Sequence, residues 1–395
     1  MKKLTLRDIS TEQKRVLVRV DYNVPLDGGT VADDARIRAS LPTIRFLLER
    51  GAKVILVSHL GRPGGKVVDE LRMDPVAGCL GELLGVEIRK IDFTVGPEAE
   101  ECALALNEGE ILLLENVRFE PGEEQNDLVL AEKMAKLAEI FVNDAFGTAH
   151  RAHASTEGVT RFLPAVAGLL MEKEISTLQR CLDNPERPLT AVFGGAKVSD
   201  KIGVINKFLE LADYILIGGG MANTFLKAKG YDMAASFYEE GKLDSAKKLL
   251  KKIKAEDKRV YLPDDLVIVE DLAAGAPFRT VTADSVAGGW KAVDIGPSTV
   301  VNFSEIIAKS GMVVWNGPMG VFELSPFDRG TEAVARAAVE SDAYVLVGGG
   351  DTAAAFEKFG ISTEADYVST GGGATLEFLE GKELPGIAAL NDQTK

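Results

Sequence analysis

The sequence predicts an α/β protein in which parallel strands alternate with helices, and three observations carry that expectation. Short runs of β-formers recur along the whole chain. Each ends in glycine or polar residues, and a helix-compatible stretch follows most of them. The clearest case is residues 344–356, YVLVGGGDTAAAF, which reads as strand, tight turn and helix start. Glycines there let an anion approach the backbone, where free N–H groups and the helix dipole hold phosphate.

Three further segments repeat the pattern: VFGGAK (192–197), ILIGGGM (215–221) and VSTGGGAT (368–375). Together the four junctions suggest one phosphate-binding rim. Gly348, Gly350 and Ala353 also fit a dinucleotide fingerprint, GxGxxA, but Asp351 inside the turn would repel a bare pyrophosphate. A divalent metal between carboxylate and phosphate resolves the repulsion, so the loop suits a metal–nucleotide complex.

In the first half, RVLVRV (15–20) ends at Asp21 and Asn23, and KVILV (53–57) ends at SHLGRP. ILLL (111–114) ends at ENVRFEPGEE, and EIFV (139–142) ends at NDAFGTAHRAHAST. Ligands of parallel sheets bind beyond the carboxyl ends of the strands, where these tails lie. The tails carry His59, Arg62, Arg118, His150, Arg151 and His153, and Arg36 follows the first. Arginines gathered at one rim point to a small polyanion, because the guanidinium fork matches phosphate and carboxylate.

Residues 169–182, LLMEKEISTLQRCL, are amphipathic and read as a helix connecting two halves. The second half restarts at 190–193, 214–217, 260–262, 267–269, 312–315 and 344–347, again as strands alternating with helices. The basic run KLDSAKKLLKKIK (242–254) reads as a helix with a solvated lysine face. In FGGAKVSDKI (193–202), Lys197 and Lys201 are expected on one helix start, four residues apart and on the same face.

A chain of 395 residues implies two or three domains. Its net charge of −15 at pH 7 argues against nucleic acid or an anionic membrane as partner. The start lacks an apolar signal region, no run of 18 apolar residues occurs, and Cys79, Cys102 and Cys181 have no paired spacing, so a cytoplasmic location is expected. P-loop, protein-kinase, GxSxG and HExxH motifs are missing. A polyanion site in one domain and a metal–nucleotide site in the other suit phosphoryl transfer.

VDYNVPL, SHLGRP, LENVRF, DAFGTAHRAHAST, FGGAKVSDKI, IGGGM, WNGPMGVFE, GGGDTAAA and STGGGATLEFLEGK occur in order along the chain. Together they resemble the phosphoglycerate kinase family of bacterial type. The resemblance implies two α/β/α domains with parallel six-stranded sheets joined by a hinge helix. The N-terminal phosphoglycerate domain would span 1–168, the hinge 169–186 and the nucleotide domain 187–378, with a tail, 379–395, returning to the first domain.

It also implies contacts to 3-phosphoglycerate or 1,3-bisphosphoglycerate from Asp21, Asn23, Arg36, His59, Arg62, Arg118, Arg151 and His153. For the nucleotide it implies Lys197, Lys201, Gly219, Gly220, Asn316, Pro318, Glu323, Gly349, Gly350, Asp351, Thr352, Gly371 and Gly372, with Asp351 on Mg2+. Arg36, Lys197 and Gly373 would hold the transferring group, in a monomer that closes about its hinge. The reacting carboxylate is already ionised at neutral pH, so no general base is required. A nicotinamide dehydrogenase and a two-lobed solute-binding protein stay open as other classes. The first gives Asp351 and the paired lysines no role, and the second lacks an export signal.

Overall fold

The computed structural model describes residues 3–393; Met1, Lys2, Thr394 and Lys395, the outer limits of the expected domains, lie outside the described residues. The chain divides into two compact units, one of Met1–Thr177 with Glu383–Lys395 and one of Leu178–Lys382.

The first unit contains β1 (Arg15–Arg19), a short ribbon of β2 (Leu26–Asp27) and β3 (Thr30–Val31), β4 (Lys53–Val57), β5 (Arg89–Lys90), β6 (Ile111–Leu113), β7 (Ile140–Asn143) and β8 (Ala165–Ala167). All but the ribbon form one sheet, in the order β5-β6-β4-β1-β7-β8, with every pairing parallel. Its helices are α1 (Ala35–Leu48), α2 (Asp74–Leu84), α3 (Pro97–Leu104) and α4 (Leu128–Ala135). The central strands are apolar at successive positions because both sheet faces are covered. Val16, Leu17 and Val18 are fully buried, as are Val54, Ile55 and Leu56.

α5 (Leu169–Asp183) contains the unit boundary, between Thr177 and Leu178. Asp144, at the end of β7, caps its start by accepting from the N–H of Leu170 at 2.9 Å. The final segment packs on the first unit: Leu384, Ile387 and Leu390 are buried, and Asn143 Nδ2 donates to Gly386 O at 3.0 Å.

The second unit contains β9 (Leu189–Phe193), β10 (Tyr214–Ile217), β11 (Val260–Tyr261), β12 (Asp265–Val269), β13 (Phe278–Thr282), β14 (Lys291–Ile295), β15 (Met312–Asn316), β16 (Tyr344–Gly348) and β17 (Tyr367–Val368). Six form a parallel sheet in the order β11-β10-β9-β15-β16-β17. The expectation of uninterrupted strand–helix alternation fails at β12. That strand joins β13 and β14 in a separate antiparallel sheet. One face of β12 packs Leu266 and Ile268 into a small core of its own, while β13 is almost wholly exposed. The helices are α6 (Ile202–Leu211), α7 (Gly219–Lys229), α8 (Leu243–Ala255), α9 (Pro297–Ile307), α10 (Arg329–Val339), α11 (Gly350–Lys358) and α12 (Gly373–Leu379); α13 (Pro385–Ala388) lies in the final segment of the first unit.

Candidate active site

In the first unit the loops after β1, β4, β6 and β7 leave the same edge of the sheet, because the strands are parallel. Tyr22 anchors the first loop: it is fully buried, its N–H donates to Ser58 Oγ at 2.8 Å, and its hydroxyl meets Ser40 Oγ at 2.9 Å. Asp21 and Asn23 flank that anchor. Asp21 accepts from Arg36 Nη1 at 3.0 Å, and Asn23 Oδ1 accepts from the Gly61 N–H at 2.8 Å. The Gly61 carbonyl in turn accepts from Arg118 Nη1 at 2.6 Å. Arg118 is therefore a buried strut as well as a charge, with Glu124 beside its Nε at 3.1 Å.

His59 lies at the centre of this charge. Burial first, and then Arg19, Arg118, Arg36 and Arg151, hold its pKa well below the usual histidine value. Burial and neighbouring arginines likewise lower His153 to about 4. Both imidazoles are thus neutral at pH 7 and able to donate one N–H each. Arg62 differs: it is exposed, one residue beyond Gly61.

Sequence reasoning passed over Arg19. It is fully buried, donates from Nε to Ser155 Oγ at 2.8 Å, and places Nη2 3.2 Å from His59 Nδ1. That contact makes Nδ1 the acceptor, so the ring proton sits on Nε2. Glu123, also buried, accepts from Ser155 and supplies the countercharge that favours ionised Arg19. The available signal was an arginine inside the apolar run RVLVRV, since a charge in a central strand needs partners.

In the second unit a cavity of about 600 Å3 opens beyond β9, β10 and β15. Its lining includes Gly195, Gly219, Gly220, Pro318, Glu323 and Asp351. The backbones meet there without side chains between them. Gly219 has φ +65°, and a Cβ on it would lie 2.7 Å from Gly195 N and Pro318 O. Gly349, φ +91°, similarly leaves room for Asn316 Nδ2, which donates to Gly348 O at 2.9 Å. α11 starts just beyond, so the N–H groups of Gly350, Asp351 and Thr352 have no acceptor within the helix. The Thr352 hydroxyl is buried and accepts from Gly317 N at 2.6 Å.

Lys201 is half-buried; burial lowers its pKa, while Asp200 and Asp351 act to raise it. The expectation that Lys197 and Lys201 share a helix face is overturned. Residues 198–201 form a turn, with Lys201 N donating to Val198 O at 3.0 Å, and the helix begins only at Ile202. The two-glycine loop and buried Val198 set this path, leaving Lys197 exposed before the turn. Lys197, Lys201, Asn316, Gly349, Gly350, Thr352 and Gly371, Gly372 and Gly373 lie outside the cavity lining. Asn316 nonetheless ends β15, and the others belong to loops or helix starts at the carboxyl ends of β9, β16 and β17.

The antiparallel sheet supplies walls that the sequence did not reveal: Leu266 from β12 and Lys291, Val293 and Asp294 from β14. Asp294 is buried, accepts from Gly330 N at 2.7 Å, and burial raises its pKa to about 8.

A cluster of Asp74, Asp92 and Glu115 in the first unit has the spacing of a cation site. Lys90 Nζ already fills it, 2.8 Å from Asp74 and 2.9 Å from Glu115.

A family model described as phosphoglycerate kinase matches residues 6–382. The chain belongs to the phosphoglycerate kinase family. It is similar to the solved phosphoglycerate kinase from Coxiella burnetii, with 42% identity over 98% of each chain and a TM-score of 0.89. It is also similar to that from Pyrococcus horikoshii OT3, with 36% identity over 98% of each chain and a TM-score of 0.87. As a member, the chain is a glycolytic phosphotransferase that reversibly converts 1,3-bisphosphoglycerate and ADP to 3-phosphoglycerate and ATP.

Proposed function

We propose that the two units divide the reaction: the first holds the phosphoglycerate and the second the nucleotide with Mg2+. The observation that carries this reading is the second unit's cavity, which combines apolar walls, side-chain-free glycine backbone and the Asp351 carboxylate at a helix start. An adenosine needs the walls and a phosphate chain needs the backbone N–H groups.

Asp351 fits a divalent cation. It is an exposed, hard oxygen donor with no ion-pair partner among the described residues. When bound, Mg2+ would offset phosphate charge. Lys201, Asn316, Thr352 and Gly371 to Gly373 would position the phosphates, Gly219, Gly220 and Pro318 the base, and Glu323 the ribose. In the first unit Asp21, Asn23, Arg36, Arg62, Arg118 and Arg151 would orient the acid, with His59 and His153 donating as neutral imidazoles.

Transfer would then be direct and in line. Arg36, Lys197 and the Gly373 N–H would hold the equatorial oxygens, where charge spreads in the transition state. The proposed contacts all come from residues of one chain, and we take the protein to act as a monomer. The three free cysteines fit a reducing cytoplasm.

Ligands held by separate units must be brought together, and an acyl phosphate survives better away from water, so the units would close about α5 when both are bound. Small-angle scattering should then give a smaller radius of gyration for the ternary complex than for the apo or either binary form. An unchanged radius in all four states would refute closure.

A further inference from the structure

A second cavity in the same unit, about 850 Å3, shares no lining residue with the first. Its walls are α8, the end of α7 with Tyr231, the stretch from β11 to Asp264, the end of β13 and one face of α9. The floor is apolar: Leu250, Ile253, Leu262, Pro263 and buried Phe303.

The rim has the opposite character. Lys247, Lys251 and Lys254 stand on α8 at i, i+4 and i+7, one stripe beside the floor, and Lys229 faces them from the end of α7. Lys247 meets Asp244 only at 3.9 Å, and Lys229 lies 5.0 Å from the Tyr231 ring centroid. Lys251 and Lys254 have no ion-pair partner among the described residues. The two lining acids accept from neutral donors, Asn302 Nδ2 to Asp264 at 2.6 Å and Thr282 Oγ1 to Asp284 at 2.7 Å, and Asp284 also lies within reach of the Lys229 charge. Four lysines against two such aspartates leave a positive excess, in a chain whose net charge is −15.

Lys254, in the last turn of α8, also complements the helix dipole, which accounts for its sign but not for that of Lys247 near the start of the helix. That role needs no apolar floor, and a solvated face needs no cavity. The volume falls in the range of small-molecule sites. We propose that this groove binds a small amphipathic anion, an aliphatic body on the floor with a single carboxylate among Lys247, Lys251 and Lys254. Long lysine stems suit this arrangement, since their methylenes extend the apolar wall while the ammonium stays at the rim.

The test is isothermal titration of the full chain with decanoate below its micellar concentration, with 1-decanol as the neutral control. One saturable decanoate site is expected, weakened by added salt and unaffected by saturating MgADP. The exposed pair Lys251→Gln/Lys254→Gln should weaken binding roughly threefold or more, with melting temperature and kinase activity unchanged. The proposal is overturned by absent saturation, by equal binding of decanol, or by an unchanged affinity in the double variant. Displacement by MgADP would also overturn it, placing the anion in the nucleotide cavity. Because these residues lie outside the proposed substrate contacts, failure here leaves the assignment of the two units standing.

Discussion

The two units carry the same parallel six-stranded sheet, yet they build their ligand loops by different means. In the first unit the loops are tied by side chains: Asn23 to Gly61, Gly61 to Arg118, and Arg19 to Ser155 and His59. In the second the loops that wall the cavity, after β9, β10 and β15, meet as bare backbone, with Gly195, Gly219 and Pro318 in direct approach, and the side chains of Asn316 and Thr352 tie only the neighbouring turns after β15 and β16. The difference teaches which chemistry each can perform. A fixed arginine fork recognises a small, compact polyanion, while a glycine cradle accepts a long phosphate chain through N–H groups and leaves an apolar wall for a base.

The largest expected effect tests the second unit's only exposed cation of the glycine loop after β9. Lys197→Ala should lower kcat by about 100-fold or more while nucleotide affinity changes little, because the charge it meets develops during transfer. A kcat within a few-fold of the parent would remove Lys197 from the transferring group. Next, Asp351→Asn should weaken MgADP by about tenfold and metal-free ADP far less, as the lost partner is the cation. Equal weakening of both, measured by calorimetry, would take Asp351 off the metal.

A smaller effect separates anchoring from recognition within the first unit. Arg62 is exposed and Arg118 buried, so Arg62→Ala should raise KM for 3-phosphoglycerate several-fold with an unchanged melting temperature. Arg118→Ala should raise KM and also lower the melting temperature, since Gly61 O loses its donor. A rise in KM for ATP in either variant would break the division between the units.

The smallest effects concern pH. His59 and His153 have depressed folded pKa values, so below about 6.5 the unfolded chain takes up protons that the folded chain refuses, and stability falls on acidification. Imidazole NMR should show both rings neutral from pH 8 down to 5.5; a midpoint near 6.5 would contradict this. Asp144 acts in the opposite sense. Burial raises its pKa to about 7, so the folded chain keeps a proton that the unfolded chain loses above about 4, and stability falls as pH rises toward 7. Asp144→Asn keeps an acceptor for Leu170 and Met171 and should reduce the fall in melting temperature between pH 5 and 8 by about 2 °C or more.

The main strands were legible because continuous apolar runs such as RVLVR and YVLVG mark a sheet buried on both faces. The edge strand β5 was not, since two paired residues leave no periodicity to read, whereas the equally short β17 showed only through the glycine turn that follows Val368. β13 hid for another reason: its exposed FRTVT has strand composition but no buried face. Among site residues, arginines and glycines beyond strand ends stood out as types needed by phosphate chemistry. Arg19 and Asp294 did not, because their roles arise from partners distant in sequence, Ser155 and His59 for one and Gly330 for the other. The misplaced helix at Lys197 shows the limit of spacing arguments: the i, i+4 rule holds only where the backbone is helical, and here it is a turn.

The division of ligands between units is tested most directly by one crossed calorimetric titration. 3-Phosphoglycerate and MgADP are each titrated separately into the parent, Arg62→Ala and Asp351→Asn. Arg62→Ala is expected to weaken only 3-phosphoglycerate and Asp351→Asn only MgADP. Loss of the opposite ligand in either variant, or of both ligands in each, would contradict that division.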